Sequence, residues 1–365
     1  MRLRGGERVL IRIPSWLGDT VMAEPALRAL YDWQVQQDLG GSLTLAGPPA
    51  LLDLLRSSFP LARFLPLVPE DRRDWQNWRG HDVALLLTGS FRSAWMAFRA
   101  SIPELVGWSR DGRGLLLTTG ITPARERGGT PLGLGRRGRS RRWLPRHFGA
   151  TCIELLGHIG VVVRETRPRL AASELAREEL KVRLAAEGLS GDEPFIAFNA
   201  GGRADSAKAV PNRLWTEALR ESTTLRSLRL VIVAGPGEER RAEELGAACS
   251  EAVVLTRPVV NLDQQLALFE RASLLLTGDM GPRHLAVACG TKQVVLVGPT
   301  DPRHTADFLE ETRVVRRVVP CGPCHLERCP LGGDDLHRCM IGQDTSAIAT
   351  AALSLLSSTT SDPSD

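Results

Sequence analysis

Short apolar runs alternate along this chain with longer segments whose apolar residues recur at helical spacing. Residues 8–13 read as a buried strand, 20–39 as a helix, 42–46 as a second strand and 50–56 as a short helix. Residues 83–87 form another apolar run, and helices are predicted over 148–160 and 173–187. A polar linker, Gly188-Leu-Ser-Gly-Asp-Glu-Pro194, then interrupts the pattern. It restarts with a strand at 195–198, a glycine loop, a helix around Leu214, a strand at 228–233, Gly235-Pro-Gly237 and a helix running to Cys249. Last come a strand at 272–276, a helix opened by Gly281-Pro282 and a Val-Val-Leu-Val strand. This alternation predicts an α/β protein with two doubly wound, Rossmann-like parallel-sheet domains facing each other across a cleft. The expected domains are 1–188 and 189–340, followed at 341–365 by a C-terminal helix and a Ser/Thr-rich disordered end. Packing of that helix back on the N-terminal domain is one option.

Composition excludes several classes. With 365 residues, 43% hydrophobic and 24% charged, the chain has the make-up of a globular protein large enough for two full cores. The first strand is cut short by Arg12 and Pro14, so no apolar segment reaches the length of a signal peptide or a membrane span. Seven cysteines, an odd number without an export signal, predict reduced thiols.

Net charge is only +4, but it is unevenly spread. Between Arg110 and His147 ten arginines, Arg136, Arg139 and Arg141 among them, stand against Asp111 and Glu126. Such a segment, rich also in Gly and Pro, reads either as a loop for a polyanion (phosphorylated lipid, anionic membrane or nucleic acid) or as a solvated loop. Within it Gly133-Leu-Gly-Arg-Arg-Gly138 matches a dinucleotide fingerprint by letters alone; no strand precedes it, and it is rejected.

Candidate chemistry sits where strands end. After the first strand comes Pro14-Ser-Trp-Leu-Gly-Asp19, and Asp19 can act as a base or simply cap the following helix. After residue 198 comes Asn199-Ala-Gly-Gly-Arg-Ala-Asp-Ser-Ala-Lys208, whose backbone donors and lysine suit a diphosphate. Glu238 could accept from ribose hydroxyls or serve as a first-turn helix carboxylate. The stretch Thr277-Gly-Asp-Met-Gly-Pro-Arg-His284 reads as strand, tight turn and helix start. Unpaired N–H groups and the helix dipole make that either an anion site or an ordinary βα turn.

Four motifs in this order resemble the ADP-heptose:lipopolysaccharide heptosyltransferases, type II: Pro14-Ser-Trp-Leu-Gly-Asp-Thr-Val-Met22, Asp279-Met-Gly-Pro-Arg-His284, Gly298-Pro-Thr-Asp-Pro302, and the Cys-rich tail 321–340. The resemblance spans about residues 8–350 and implies a GT-B fold with acceptor bound by the first domain and ADP-heptose by the second. It implies an inverting, metal-free heptose transfer to the lipopolysaccharide inner core, with Asp19 as general base. Lys208, the backbone of Met280 and Gly281, and nearby His284 would hold the diphosphate, Glu238 the ribose, and Asp279 the sugar or the turn. Ser15, Arg136, Arg139 and Arg141 would meet a phosphorylated lipid A core acceptor. The partners implied are ADP-heptose, that acceptor and transient contact with the anionic inner membrane, with no nucleic acid. The location implied is cytoplasmic, peripheral at the inner face of the inner membrane.

The chain departs from the family at Met280, where Ser or Thr is usual, at Ala209-Val210 after the lysine, and at Arg283. These departures bear on donor specificity. Cys321, Cys324, Cys329 and Cys339 are weak zinc candidates because the second pair lacks a tight CxxC, so no cofactor and no structural zinc are expected. The alternatives are the same fold acting on another glycan or a protein, and a non-catalytic sugar-nucleotide-binding module.

Overall fold

In the computed structural model, residues 2–37, 42–68, 73–110, 112–124, 144–199, 201–202, 205–249, 251–305, 308 and 310–357 are described. The chain forms two units, Met1–Pro168 and Arg169–Asp365. The first contains β1 (Val9–Arg12), α1 (Leu17–Gln36), β2 (Leu43–Gly47), α2 (Pro49–Leu55), β3 (Arg63–Pro66), β4 (Val83–Leu86), α3 (Phe91–Arg99), β5 (Glu104–Trp108), β6 (Thr119–Ile121) and α4 (Phe148–His158). Its six strands are all parallel in the order β3-β2-β1-β4-β5-β6.

The second unit contains α5 (Glu174–Ala186), β7 (Phe195–Asn199), α6 (Asn212–Arg220), α7 (Thr223–Ser227), β8 (Arg229–Val233), α8 (Glu239–Ala248), β9 (Val253–Leu255) and α9 (Leu262–Arg271). It continues with β10 (Leu274–Gly278), α10 (Gly281–Cys289), β11 (Gln293–Val297), β12 (Thr312–Arg316), α11 (Arg338–Ile341) and α12 (Thr345–Ser357). The sheet order β12-β11-β10-β7-β8-β9, again all parallel, is that of the first unit drawn from the opposite edge. Both sheets therefore reverse direction once, between β1 and β4 and between β7 and β10. In open parallel sheets, ligands bind beyond the strand ends at this reversal.

The central strands are mostly apolar because helices cover both faces. Val9, Leu10 and Ile11 and all of β10 and β11 are buried. In the second unit Phe198 meets Trp215 edge to face at 4.8 Å, at the centre of a core that also holds Ile232, Leu276 and Leu296.

Three expectations shift. The first helix starts at Leu17, ahead of Thr20, so Asp19 lies inside its first turn while extended Trp16 takes the N-cap position. The units divide ahead of the polar linker at 188–194, because α5 is fastened to α9. Ser173 Oγ donates to Asp263 Oδ2 at 2.6 Å, and Arg177 Nε to Glu270 Oε2 at 2.9 Å. The apolar face of α12, Ile348, Ala349, Ala352 and Leu355, is buried in the second unit's own core instead of being held for the N-terminal domain.

Candidate functional site

In the first unit the reversal point is occupied by the β1–α1 connection. Asp19 is half-buried in the first turn of α1, where the helix dipole favours a carboxylate. It stands close enough to buried Cys152 on α4 that its charge, after desolvation, helps push that thiol's pKa up. Ser15 is exposed, and its Oγ accepts from Arg12 Nη2 at 2.9 Å. Burial and the charge of Arg92 pull the Arg12 pKa down to about 10. Arg12 was not singled out from the sequence; a lone arginine ending an apolar run resembles a strand terminus, and only the fold sets it beside Ser15.

Arg136, Arg139 and Arg141 lie outside the described residues. Of the described residues that flank them, Leu144 donates its N–H to Ala124 O at 3.0 Å. Two arginines counted toward the basic loop have structural work. Arg113 is fully buried and donates to Trp108 O at 2.7 Å and to the carbonyls of Thr88 and Ser90, and Arg146 pairs with Glu154.

In the second unit the loop after β7 and the β10–α10 turn flank the reversal point. Gly201 and Gly202 adopt positive φ, and Gly202 N–H donates to Glu238 Oε1 at 2.7 Å. The other carboxylate oxygen of Glu238 accepts from Gly235 N–H at 3.0 Å, so this residue ties together the loops ending β7 and β8. Arg241, one turn on, donates to Gly201 O at 2.7 Å and to the carbonyls of Gly202 and Val210. Burial lowers its pKa.

The thioether of Met280 lies over the glycine pair: a Cβ at Gly201 would collide with Met280 Cε, and one at Gly202 would stand 3.1 Å from Sδ. The Met280 N–H is donated to Gly278 O at 2.9 Å. Of the expected pair of amides, Gly281 is therefore the one at the helix start, where no intrahelical acceptor exists.

Lys208 Nζ donates to Asp279 O at 3.2 Å, bringing its ammonium across from the β7 loop to the β10 end. Asp279 is buried and held on both oxygens: Oδ1 accepts from Arg283 Nη1 and Thr305 Oγ1, each at 3.1 Å, and Oδ2 from Thr300 Oγ1. Burial would push this carboxyl up. Arg283, Lys208, the Thr300 hydroxyl and His284 outweigh it and hold the pKa down at about 2. Asp279 thus fixes the turn and ties the 298–302 motif to α10, and Arg283 is its ion-pair partner with both side chains buried. His284 is buried on the same helix. The ensemble offers a cation and a helix start on one side and, on the other, a glycine turn braced by a carboxylate 36 residues further along the chain. That combination suits a nucleoside diphosphate.

The Cys-rich tail folds against the end of β11. Cys339 is buried, and Gln343 Nε2 donates to Val297 O at 3.0 Å and Cys339 O at 2.9 Å. Cys324 and Cys329 are half-buried, Cys321 is exposed, and all seven cysteines are free thiols. Among the described residues no three His, Cys, Asp or Glu side chains are arranged to hold a metal ion.

A sequence profile described as glycosyltransferase family 9 (heptosyltransferase) matches residues 150–333. Lipooligosaccharide heptosyltransferase 2 of Haemophilus influenzae is 24% identical over 336 residues, which cover 85% of this chain and 88% of that protein. The structure of E. coli ADP-heptose LPS heptosyltransferase II is similar with a TM-score of 0.71 at 21% identity, covering 97% of this chain and 100% of that one. A family 9 glycosyl transferase from Veillonella parvula gives a TM-score of 0.74 at 19% identity, covering 98% and 99%. Both share the pair of parallel-sheet units.

Proposed function

This chain belongs to glycosyltransferase family 9, and from that membership we propose that it transfers heptose from ADP-heptose to the inner core of lipopolysaccharide, as a type II heptosyltransferase, with inversion. In this reading the second unit binds the donor. Lys208 and the Gly281 N–H, with His284 behind them, meet the diphosphate. Glu238 has lone pairs left beyond its two backbone bonds to accept from the ribose. Asp279 shapes the turn, and the Met280 side chain backs the glycine loop. The first unit binds the phosphorylated acceptor through Ser15 and Arg12, with Arg136, Arg139 and Arg141 as further contacts.

Asp19 takes the proton of the acceptor hydroxyl as its oxygen attacks the anomeric carbon, and the bond from that carbon to the diphosphate oxygen breaks. Charge developing on ADP falls on Lys208 and the α10 start, which do there what a divalent ion does elsewhere. The observation that carries the reading is the Lys208–Asp279 link, which puts a cation beside a helix start at the sheet reversal. Among the described residues no helix is long and apolar enough to cross a membrane. The proposal places the protein in the cytoplasm, meeting its lipid-linked acceptor at the anionic inner face of the inner membrane.

The test is incubation with ADP-heptose and a monoheptosylated lipid A core, without added metal. A mass gain of one heptose that disappears with Asp19→Asn is expected, while ADP binding by that variant stays at the parent level. A gain that survives Asp19→Asn removes the base. No gain with this acceptor, combined with ADP binding and transfer to another glycan or a protein, would replace the acceptor.

A further inference from the structure

Helix α3 is built inside out. Its buried side chains are the small Ser93, Ala94 and Ala97 together with Met96, while Phe91, Trp95 and Phe98 are 50%, 42% and 52% exposed. At 100° per residue these three rings fall within an arc of about 60°. They stack into a continuous ridge, with ring centroids 6.5 Å apart between Phe91 and Trp95 and 5.8 Å between Trp95 and Phe98. The turn at 113–116 packs against the same helix and adds Leu115, which is 96% exposed. Arg113, buried between them, donates both to Ser90 O at the start of α3 and to Trp108 O, so ridge and turn are held in one arrangement. A ridge of this kind in water marks a surface that meets something apolar.

The charge beside it indicates what. The sequence of α3 carries Arg92 and Arg99 and no carboxylate. Arg99 and Arg79 both lie over the Trp75 ring, each 4.9 Å from its centroid, next to the helix. Tryptophan and arginine together are the side chains that sit at a membrane–water interface, the ring among the headgroups and the guanidinium on anionic lipid. A second copy of this chain fits the face less well, because a two-fold pairing of the ridges would bring the arginine flanks of both copies together.

We propose that the outer face of α3, with Leu115 and the arginines around Trp75, docks this protein on the surface of an anionic lipid bilayer. This deepens the membrane contact in the proposed function but does not depend on the transfer chemistry. The rings enter the headgroup region, the arginines neutralise lipid phosphate, and the first unit is held against the surface on which a lipid-linked acceptor is presented.

Sedimentation of the full chain with vesicles of phosphatidylglycerol and phosphatidylcholine, or of phosphatidylcholine alone, tests it. The mixed vesicles should capture the protein at least about tenfold better, and capture should fall with salt. A Trp95→Ser/Phe98→Ser variant should lose about tenfold in partitioning. Arg99→Glu should lose anionic preference and salt sensitivity. Both should keep the parent's thermal unfolding and ADP binding, since these side chains are exposed. Equal capture by neutral vesicles would overturn the proposal, as would unchanged capture of the double variant. So would a parent dimer that the double variant splits while vesicle binding is absent. Transfer to a short acceptor without acyl chains, measured without vesicles, should be the same in parent and variants. Its absence in all of them would count against the transferase reading and leave the docking result standing.

Discussion

Asp279 shows how the place of a side chain can be legible in the sequence while its partners are not. Its place after an apolar run, before Gly281-Pro282, identifies the helix start. That the carboxylate would be closed off by Arg283, Thr300 and Thr305 follows only from the fold. The same holds for Glu238, whose place after Gly235-Pro-Gly237 is legible but whose clamp on Gly202 and Gly235 is not, and for Arg12 and Arg241, whose targets are hydroxyl and carbonyl oxygens without a sequence signature. Because folding lowers the Asp279 pKa to about 2, its ionised form contributes stability that is present above about pH 4 and is lost as the pH falls toward 2, of order 2 kcal/mol. Asp301, held to about 2 by the Arg303 hydrogen bonds, titrates in the same window. Urea midpoints between pH 5 and pH 2 should therefore fall less steeply for Asp279→Asn than for the parent; parallel slopes would show that Asp279 is not the group titrating. Arg283→Met should cost about 3–5 kcal/mol at neutral pH, because it leaves a buried carboxylate without its cation. Arg12→Gln should weaken acceptor binding and leave ADP affinity within about twofold; a calorimetric titration in which ADP affinity falls instead would move Arg12 off the acceptor side.

Among the elements, α3 is the instructive miss. Phe91, Trp95 and Phe98 recur at helical spacing, so periodicity marks a helix there, but the rings face outward while Ser93, Ala94, Met96 and Ala97 are buried, and periodicity does not give the direction in which an apolar stripe faces. Edge strands β3, β6 and β9 escaped for another reason: they are short and partly exposed, and their burial comes from neighbours remote in sequence. The long helices were legible, yet their packing was not. Within α4, a Cβ at Gly149 would lie 2.8 Å from Met22 O on α1, whereas one at Gly157 would meet nothing within 4 Å. One substitution therefore has opposite signs eight residues apart on this helix. Gly149→Ala should destabilise by about 1–3 kcal/mol by forcing α1 and α4 apart. Gly157→Ala should stabilise by about 0.5–1 kcal/mol by restricting the unfolded chain and improving helix propensity. Chemical denaturation of the two variants measures both, and a loss of stability at Gly157 would show that the site is tighter than its surroundings indicate.

At the scale of the molecule, alternating periodicity was sufficient for two doubly wound units because strand–helix–strand connections leave few other arrangements. It could not show that both units share one strand order, since that repetition is in topology and has no counterpart in sequence. Nor could it assign the elements between and after the sheets: α5 goes to the second unit through polar bonds to α9, and α12 through apolar contacts with the sheet and α6. An apolar helical stripe states that a helix is covered but not by what. The structure's answer has a measurable consequence. Leu355 is 1% exposed, in one core with Ile196, Leu274, Val294 and Trp215, and Lys292 Nζ donates to its carbonyl at 2.8 Å. Leu355→Ala should cost about 2–5 kcal/mol through lost burial and the cavity left behind. Amide exchange by mass spectrometry should then speed up in β10, β11 and β12 and remain at the parent rate in β1 through β6, because cooperative opening follows the packed unit. Faster exchange in the first unit's strands, with the second unit unchanged, would return α12 to the N-terminal domain as the sequence allowed.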